Sequence, residues 1–268
     1  MYKAEVENVS HYAEKKINAL KKSKLSYLTT AILAGMFIGI SYIFIFTIGG
    51  ALHYANSPAY KIAMGASFGV ALSLVMAAGA ELFTGTNLVM TMGALEKKTT
   101  WMDAVKIWTL SWIGNFIGSL ITIALFLATG LAKGATGKYI IEGAQGKIAP
   151  SSIEIFARGI LCNILVCLAV WCYYKLKEET ARLIMIFWCI FAFITSGYEH
   201  SVANMTLLPL AAILSKGVEV TIEGIAHNLI FATLGNIIGG SLFVAVPYWI
   251  ASRKDKKEVV KINISESA

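Results

Sequence analysis

The chain has 268 residues, 57% of them hydrophobic and 15% charged, whereas soluble domains carry about 45–50% apolar and about 25% charged residues. That balance excludes a disordered chain and argues against a soluble enzyme, and 23 glycines beside 4 prolines suit closely packed membrane helices. The net charge of +7 is not a nucleic-acid stripe, because its lysines and arginines flank apolar runs.

Residues 1–26 form an amphipathic N-terminal segment. Val6, Val9, Ala13, Ile17 and Leu20 share one helical face, with Lys and Glu elsewhere. A basic helix of this kind lies on the membrane surface or caps the cytoplasmic mouth of the membrane domain; packing on the protein's own loops is the alternative. Residues 27–250 then hold six apolar runs near the length of about 20 residues that a crossing needs: 27–48, 62–82 (continuing weakly to 94), 101–127, 153–174, 183–214 and 222–250. The fifth is too long for one simple crossing and is interrupted by Tyr198-Glu199-His200-Ser201. The first run shows no convincing cleavage site and is expected to be a span. Residues 128–152 make a long glycine-rich loop expected to have a task or to contain a short element of its own. Cys162, Cys167, Cys172 and Cys189 lie inside apolar runs and read as small buried side chains, neither a disulfide frame nor a metal site. Residues 251–268 form a basic tail carrying Arg253, Lys254, Lys256, Lys257 and Lys261.

Six spans place both termini on one side. Counted that way, 17 basic residues fall on the presumed inside and 6 outside, which predicts cytoplasmic termini in the cell (inner) membrane.

The two halves echo each other. Gly114-Asn115 in the third span matches Gly235-Asn236 in the sixth, and the stretch from Glu81 to Asn87 resembles that from Glu199 to Asn204. A repeat of three spans must be inverted across the bilayer, and inverted repeats with broken helices are a transporter architecture. The fold class is therefore all-α membrane protein: six transmembrane helices in two inverted three-helix repeats, the second and fifth broken. Free backbone groups at such breaks need a protein-lined or wet cavity, and the half-helix N-termini carry partial positive charge. The Gly-Asn pairs read first as packing devices, with Gly allowing close approach and Asn bonding across helices.

Glu81, Glu199, His200, His227 and Arg158 sit within or beside the spans, where a charge needs a partner or a task. Glu81 and Glu199, with Asn204 near the second, are expected to hold the breaks in shape. Bare transfer of a small anion into an apolar slit costs on the order of tens of kcal/mol, whereas a neutral weak acid pays far less. His200 can hydrogen-bond the anion or pass it a proton, and Lys147 can draw anions to the mouth. No His-Glu-x-x-His or Gly-x-Ser-x-Gly motif supports an intramembrane enzyme, and no cofactor is expected. A neutral-solute pore of the water or glycerol type is disfavoured because paired Asn-Pro-Ala loops are missing; Asn204 is followed by Met205.

Glu81-Leu82-Phe83-Thr84-Gly85, Arg158-Gly159-Ile160-Leu161-Cys162-Asn163 and the stretch Gly197-Tyr198-Glu199-His200-Ser201-Val202-Ala203-Asn204-Met205 together resemble the formate–nitrite transporter family over nearly the whole chain. The resemblance implies an aquaporin-like fold, a homopentamer and one pore per protomer. It implies that Thr84 is the threonine of the broken second helix and His200 the central pore histidine. Phe68 and Phe193 become an outer apolar constriction, Leu72 and Leu82 an inner one, and Asn163 and Lys147 the polar residues above the histidine. The implied cargo is a small monovalent anion of a weak acid: hydrosulfide or nitrite is favoured by the Glu81 and Tyr198-Glu199-His200 forms of the motifs, with formate, or proton-coupled transport, as the alternative. The implied partners are thus that anion, the lipid bilayer and further copies of the chain, with no nucleic acid.

Overall fold

The computed structural model describes residues 2–253, all of whose regular structure is helical. Of the predicted tail, Lys254, Lys256, Lys257 and Lys261 lie outside the described residues. The first half runs through α1 (Lys3–Lys22), α2 (Lys24–Tyr54), α3 (Tyr60–Ser67), α4 (Gly69–Ala78), α5 (Phe83–Leu95) and α6 (Trp101–Ala128). The second runs through α7 (Ala135–Ile148), α8 (Ser152–Lys175), α9 (Glu179–Thr195), α10 (Ser201–Leu214) and α11 (Ile222–Gly240). A π-helical turn, Ser241–Ala245, leads from α11 into α12 (Val246–Ser252).

Five of the six predicted crossings contain a stretch long and apolar enough to span a bilayer. The fifth differs: α9 has 17 residues and α10 has 14, so that crossing is assembled from two half-helices. In the second, α3 and α4 run up to the break and α5 continues beyond it. Three spanning units per half give an inverted repeat. In each half the first unit packs on the third, α2 on α6 and α8 on α11, at glycines. A Cβ on Gly118 would overlap the backbone of Ile32 and Met36, and one on Gly235 the backbone of Phe156 and Ile160.

Both breaks are made the same way. Gly79 (φ 79°) and Gly197 (φ 74°) occupy the left-handed region that stops a helix and that glycine adopts without a Cβ clash. The chain then runs extended through Leu82 in one half and His200 in the other before the next helix starts. Each break is tied down by the asparagine of the Gly-Asn pair. Asn115 Oδ1 accepts from Phe83 N at 2.9 Å, while its Nδ2 donates to the carbonyls of Ala31 (2.7 Å) and Glu81 (2.9 Å). Asn236 repeats the pattern, accepting from Ser201 N (2.9 Å) and donating to Gly159 O (2.9 Å) and Glu199 O (2.9 Å). A buried N–H at a helix start and two buried carbonyls are thereby satisfied by one side chain in each half.

The apolar face of α1 is used inside the protein. Val6, Val9, Ala13, Ile17 and Leu20 are buried against Leu88, Val89 and Met92 of α5, Trp171 of α8, and Ala104 and Ile107 of α6. Residues 128–152, expected as a loop, contain α7, whose small residues Gly137 and Ala144 are buried. The cysteines are all free; Cys162, Cys167 and Cys189 are buried and Cys172 half-buried.

Candidate functional site

The residues that end the two extended stretches, Leu82 and His200, face one small chamber of about 10 Å³, completed by Phe68, Leu72, Phe193 and other apolar walls. That is room for about one water-sized sphere. The helices α5 and α10 begin immediately after Leu82 and His200, so two half-helix N-termini converge on the chamber. Their partial positive charges are a fixed feature of its wall. The Phe68 and Phe193 rings meet edge to face at 6.1 Å between centroids, and Phe193 stacks on the His200 imidazole at 5.8 Å.

His200 is held at both ring nitrogens. Nδ1 accepts from Ala203 N at 3.1 Å, capping α10. The ring is therefore the tautomer with its hydrogen on Nε2, and Nε2 donates to Thr84 Oγ1 at 3.0 Å. Thr84 belongs to the first turn of α5, so this bond joins the two half-helices. Asn163 stands behind it rather than in the chamber wall: its Nδ2 reaches Thr84 O (3.2 Å), Asn87 Oδ1 (3.0 Å) and Asn236 O (2.6 Å).

Each break also carries a carboxylate paired with a lysine from a helix outside the spans. Lys147, near the end of α7, lies 3.0 Å from Glu199 Oε1 and also donates to Tyr198 O at 3.3 Å. The other Glu199 oxygen accepts from Asn204 Nδ2 (2.6 Å) and Asn228 Nδ2 (3.3 Å). Burial alone would lower the lysine's pKa; the adjacent Glu199 carboxylate and neighbouring groups such as Tyr42 together outweigh it and hold Lys147 above the ordinary lysine range. Lys147, Arg158, Tyr198 and Glu199 line a cleft of about 400 Å³ on the α7 side of the chamber. In the first half, Lys16 of α1 pairs with Glu81 Oε2, which also accepts from Tyr27 OH at 3.2 Å. His227 lies apart from the chamber, its Nε2 2.9 Å from Ser152 Oγ.

Phe68, Phe193, Leu72, Leu82, His200 and Thr84 are thus brought together, while Glu81, Glu199, Asn204 and Lys147 brace the breaks beside them. Lys16, Tyr27 and Asn228 were not singled out from the sequence. Lys16 is one lysine among many on a polar helix face. Asn228 sits in the second turn of α11, with no spacing that marks it. The chain matches the family described as "Formate/nitrite transporter" over residues 3–250. It belongs to the formate/nitrite transporter family.

Among its relatives, the nitrite transporter NirC of Escherichia coli K12 is 38% identical over 246 residues, covering 91% of this chain and 90% of the relative. The formate channel FocA of the same organism is 32% identical over 249 residues, covering 85% and 87%. Among solved structures, an "FNT family ion channel" superposes with a TM-score of 0.88 at 35% identity, covering 93% of this chain and 99% of that one. A "Pentameric formate channel with formate bound" superposes with a TM-score of 0.78 at 31% identity, covering 87% and 99%. The chain is therefore a multi-pass membrane transport protein of the formate/nitrite type with that family's aquaporin-like fold, and not an enzyme.

Proposed function

We propose that the protein conducts small monovalent anions of weak acids, nitrite, hydrosulfide or formate, through one pore per protomer of a homopentamer in the cell membrane, with both termini in the cytoplasm. The observation that carries this reading is the His200 Nε2–H donor in an otherwise apolar chamber where two half-helix N-termini meet. Phe68, Phe193, Leu72 and Leu82 act as the constriction and exclude hydrated ions. Thr84 orients the imidazole, and the anion takes the hydrogen bond that Thr84 Oγ1 accepts at rest. Lys147, with Asn163 behind the chamber, supplies the polar approach, while Glu199, Glu81 and Asn204 keep the breaks in shape. The names of the relatives, a nitrite transporter and a formate channel, support the substrate class; the hydrosulfide reading rests on the form of the Glu81 and Tyr198-Glu199-His200 motifs.

A donor role fits this geometry better than a proton relay. Giving up the Nε2 hydrogen requires a second proton at Nδ1, and Nδ1 is occupied by the Ala203 N–H that caps α10. Relay would break that cap, a bond worth about 1 kcal/mol in a typical helix.

The test is competitive uptake into proteoliposomes of nitrite, formate and hydrosulfide at pH 5.5 and pH 7.5, on the order of one pH unit either side of a free histidine's pKa. The expected result is flux of at least one anion, inhibited by the other two, and lowered about tenfold or more in His200→Leu while His200→Asn, which keeps a side-chain N–H, retains part of it. Absence of flux for all three anions, or equal glycerol-driven swelling, would overturn the assignment.

A further inference from the structure

A second cleft lies away from the pore, where the end of α1, the start of α2 and the first turns of α6 meet. Its volume is about 710 Å³. Ile17, Leu20, Val105 and Leu110 give it an apolar lining, and Lys21, Lys24 and Lys106 line it too. None of the three lysines forms an ion pair among the described residues; the lysine and arginine ion pairs there use Lys16, Lys98, Lys147, Arg158 and Arg253. The one carboxylate in the lining, Asp103, is turned to the α6 N-terminus, where Oδ2 accepts from Thr100 N (3.1 Å) and Thr100 Oγ1 (2.8 Å). Trp101, exposed at the start of α6, marks this as interface depth. From Asp103 to Leu110 the cleft follows α6 for about 10 Å at 1.5 Å per residue, from the headgroup level into the hydrocarbon.

We propose that this cleft binds one anionic phospholipid per protomer, its phosphate among Lys21, Lys24 and Lys106 and the first carbons of an acyl chain along Val105 and Leu110. Three unpaired ammonium groups select against a zwitterionic lipid, whose own cation would be repelled, and the apolar lining selects against a free anion. A neighbouring copy of the chain is the competing occupant, and the charge decides against it: this copy would have to bring a matching acidic patch beside three lysines in a protein of net charge +7.

The full-length assembly, in nanodiscs of phosphatidylcholine with or without phosphatidylglycerol, is released into the gas phase and its retained lipid counted by native mass spectrometry. The expected result is about one phosphatidylglycerol retained per protomer and no phosphatidylcholine. Each single Lys→Gln change should weaken retention by about fivefold and Lys21→Gln/Lys24→Gln/Lys106→Gln by about a hundredfold, following the electrostatic worth of a juxtamembrane lysine. A control set, Lys133→Gln/Lys138→Gln/Lys216→Gln, removes equal charge elsewhere and should leave retention unchanged. Val105→Trp fills the cleft without touching charge and should also expel the lipid, which keeps the test open if the triple variant fails to assemble. Equal retention of the two lipids, undiminished retention in both the triple variant and Val105→Trp, displacement by millimolar inorganic phosphate, or loss of the oligomer in Val105→Trp without loss of lipid would each overturn the proposal.

Discussion

The two broken helices share a frame and differ in what they carry. At the first, the residue that enters the chamber is Leu82; at the repeat-equivalent position of the second it is His200. The first break supplies a hydroxyl two residues on, Thr84, and the second supplies the imidazole that bonds to it. The supporting carboxylates differ too. Glu199 is 1% exposed and is held by a lysine and two asparagines, whereas Glu81 is 20% exposed and is held by a lysine and a tyrosine. The two breaks share the elements that shape the backbone, Gly79 with Gly197 and Asn115 with Asn236, and differ in their chemistry. The backbone is braced at both breaks, whereas the imidazole stands at only one.

This contrast is most exposed to test at the ion pairs. Lys147→Met leaves a buried carboxylate without its cation and should cost about 3–5 kcal/mol, while Lys16→Met leaves Glu81 with water and Tyr27 and should cost about 1 kcal/mol or less. Thermal unfolding in detergent compares them, and equal losses would contradict the claimed difference between the breaks. Asn115→Ala and Asn236→Ala should be alike, each orphaning an N–H and two carbonyls for about 3 kcal/mol. On the scale of a chain this size that is a fall in Tm of about 10 °C. If one of the two is silent, the frame is not duplicated in function. A modest effect is expected at the glycines. A Cβ on Gly79 or Gly197 meets no atom within 4 Å, so Gly79→Ala and Gly197→Ala should each cost only the left-handed backbone penalty of about 1–2 kcal/mol. A much larger loss at either would mean that its break has to change shape as it works, which flux measurements on the same variants would detect.

Much of this was legible in the sequence because the bilayer constrains it. Apolar length fixed the spans, and Glu81 and Glu199 inside apolar runs, at matching places in the two halves, marked the breaks. The Gly-Asn pairs gave the repeat, and their reading as packing devices matches the bonds that Asn115 and Asn236 make across helices. What stayed hidden lacks a periodic signal. The helix α7 is rich in glycine and short, so no apolar stripe announces it, and it is ordered by close packing such as that of Gly137 on the Ala132 backbone. The pairing of Lys16 with Glu81 joins residues 65 apart and shows no spacing rule. The amphipathic face of α1 was evident, but whether it meets lipid or protein depends on a groove built by α5, α6 and α8, far along the chain.

That α1 and α7 stand in the same place in their halves, each lending a lysine to the break that follows, alters where the chain can be divided. A protease site inserted between Gly130 and Leu131 would separate two fragments, each keeping its own cap helix and the carboxylate that helix neutralises. Co-expressed, such fragments have no buried charge to strand at the cut, whereas removing residues 3–22 in order to trim a supposed leader would strip Glu81 of its cation.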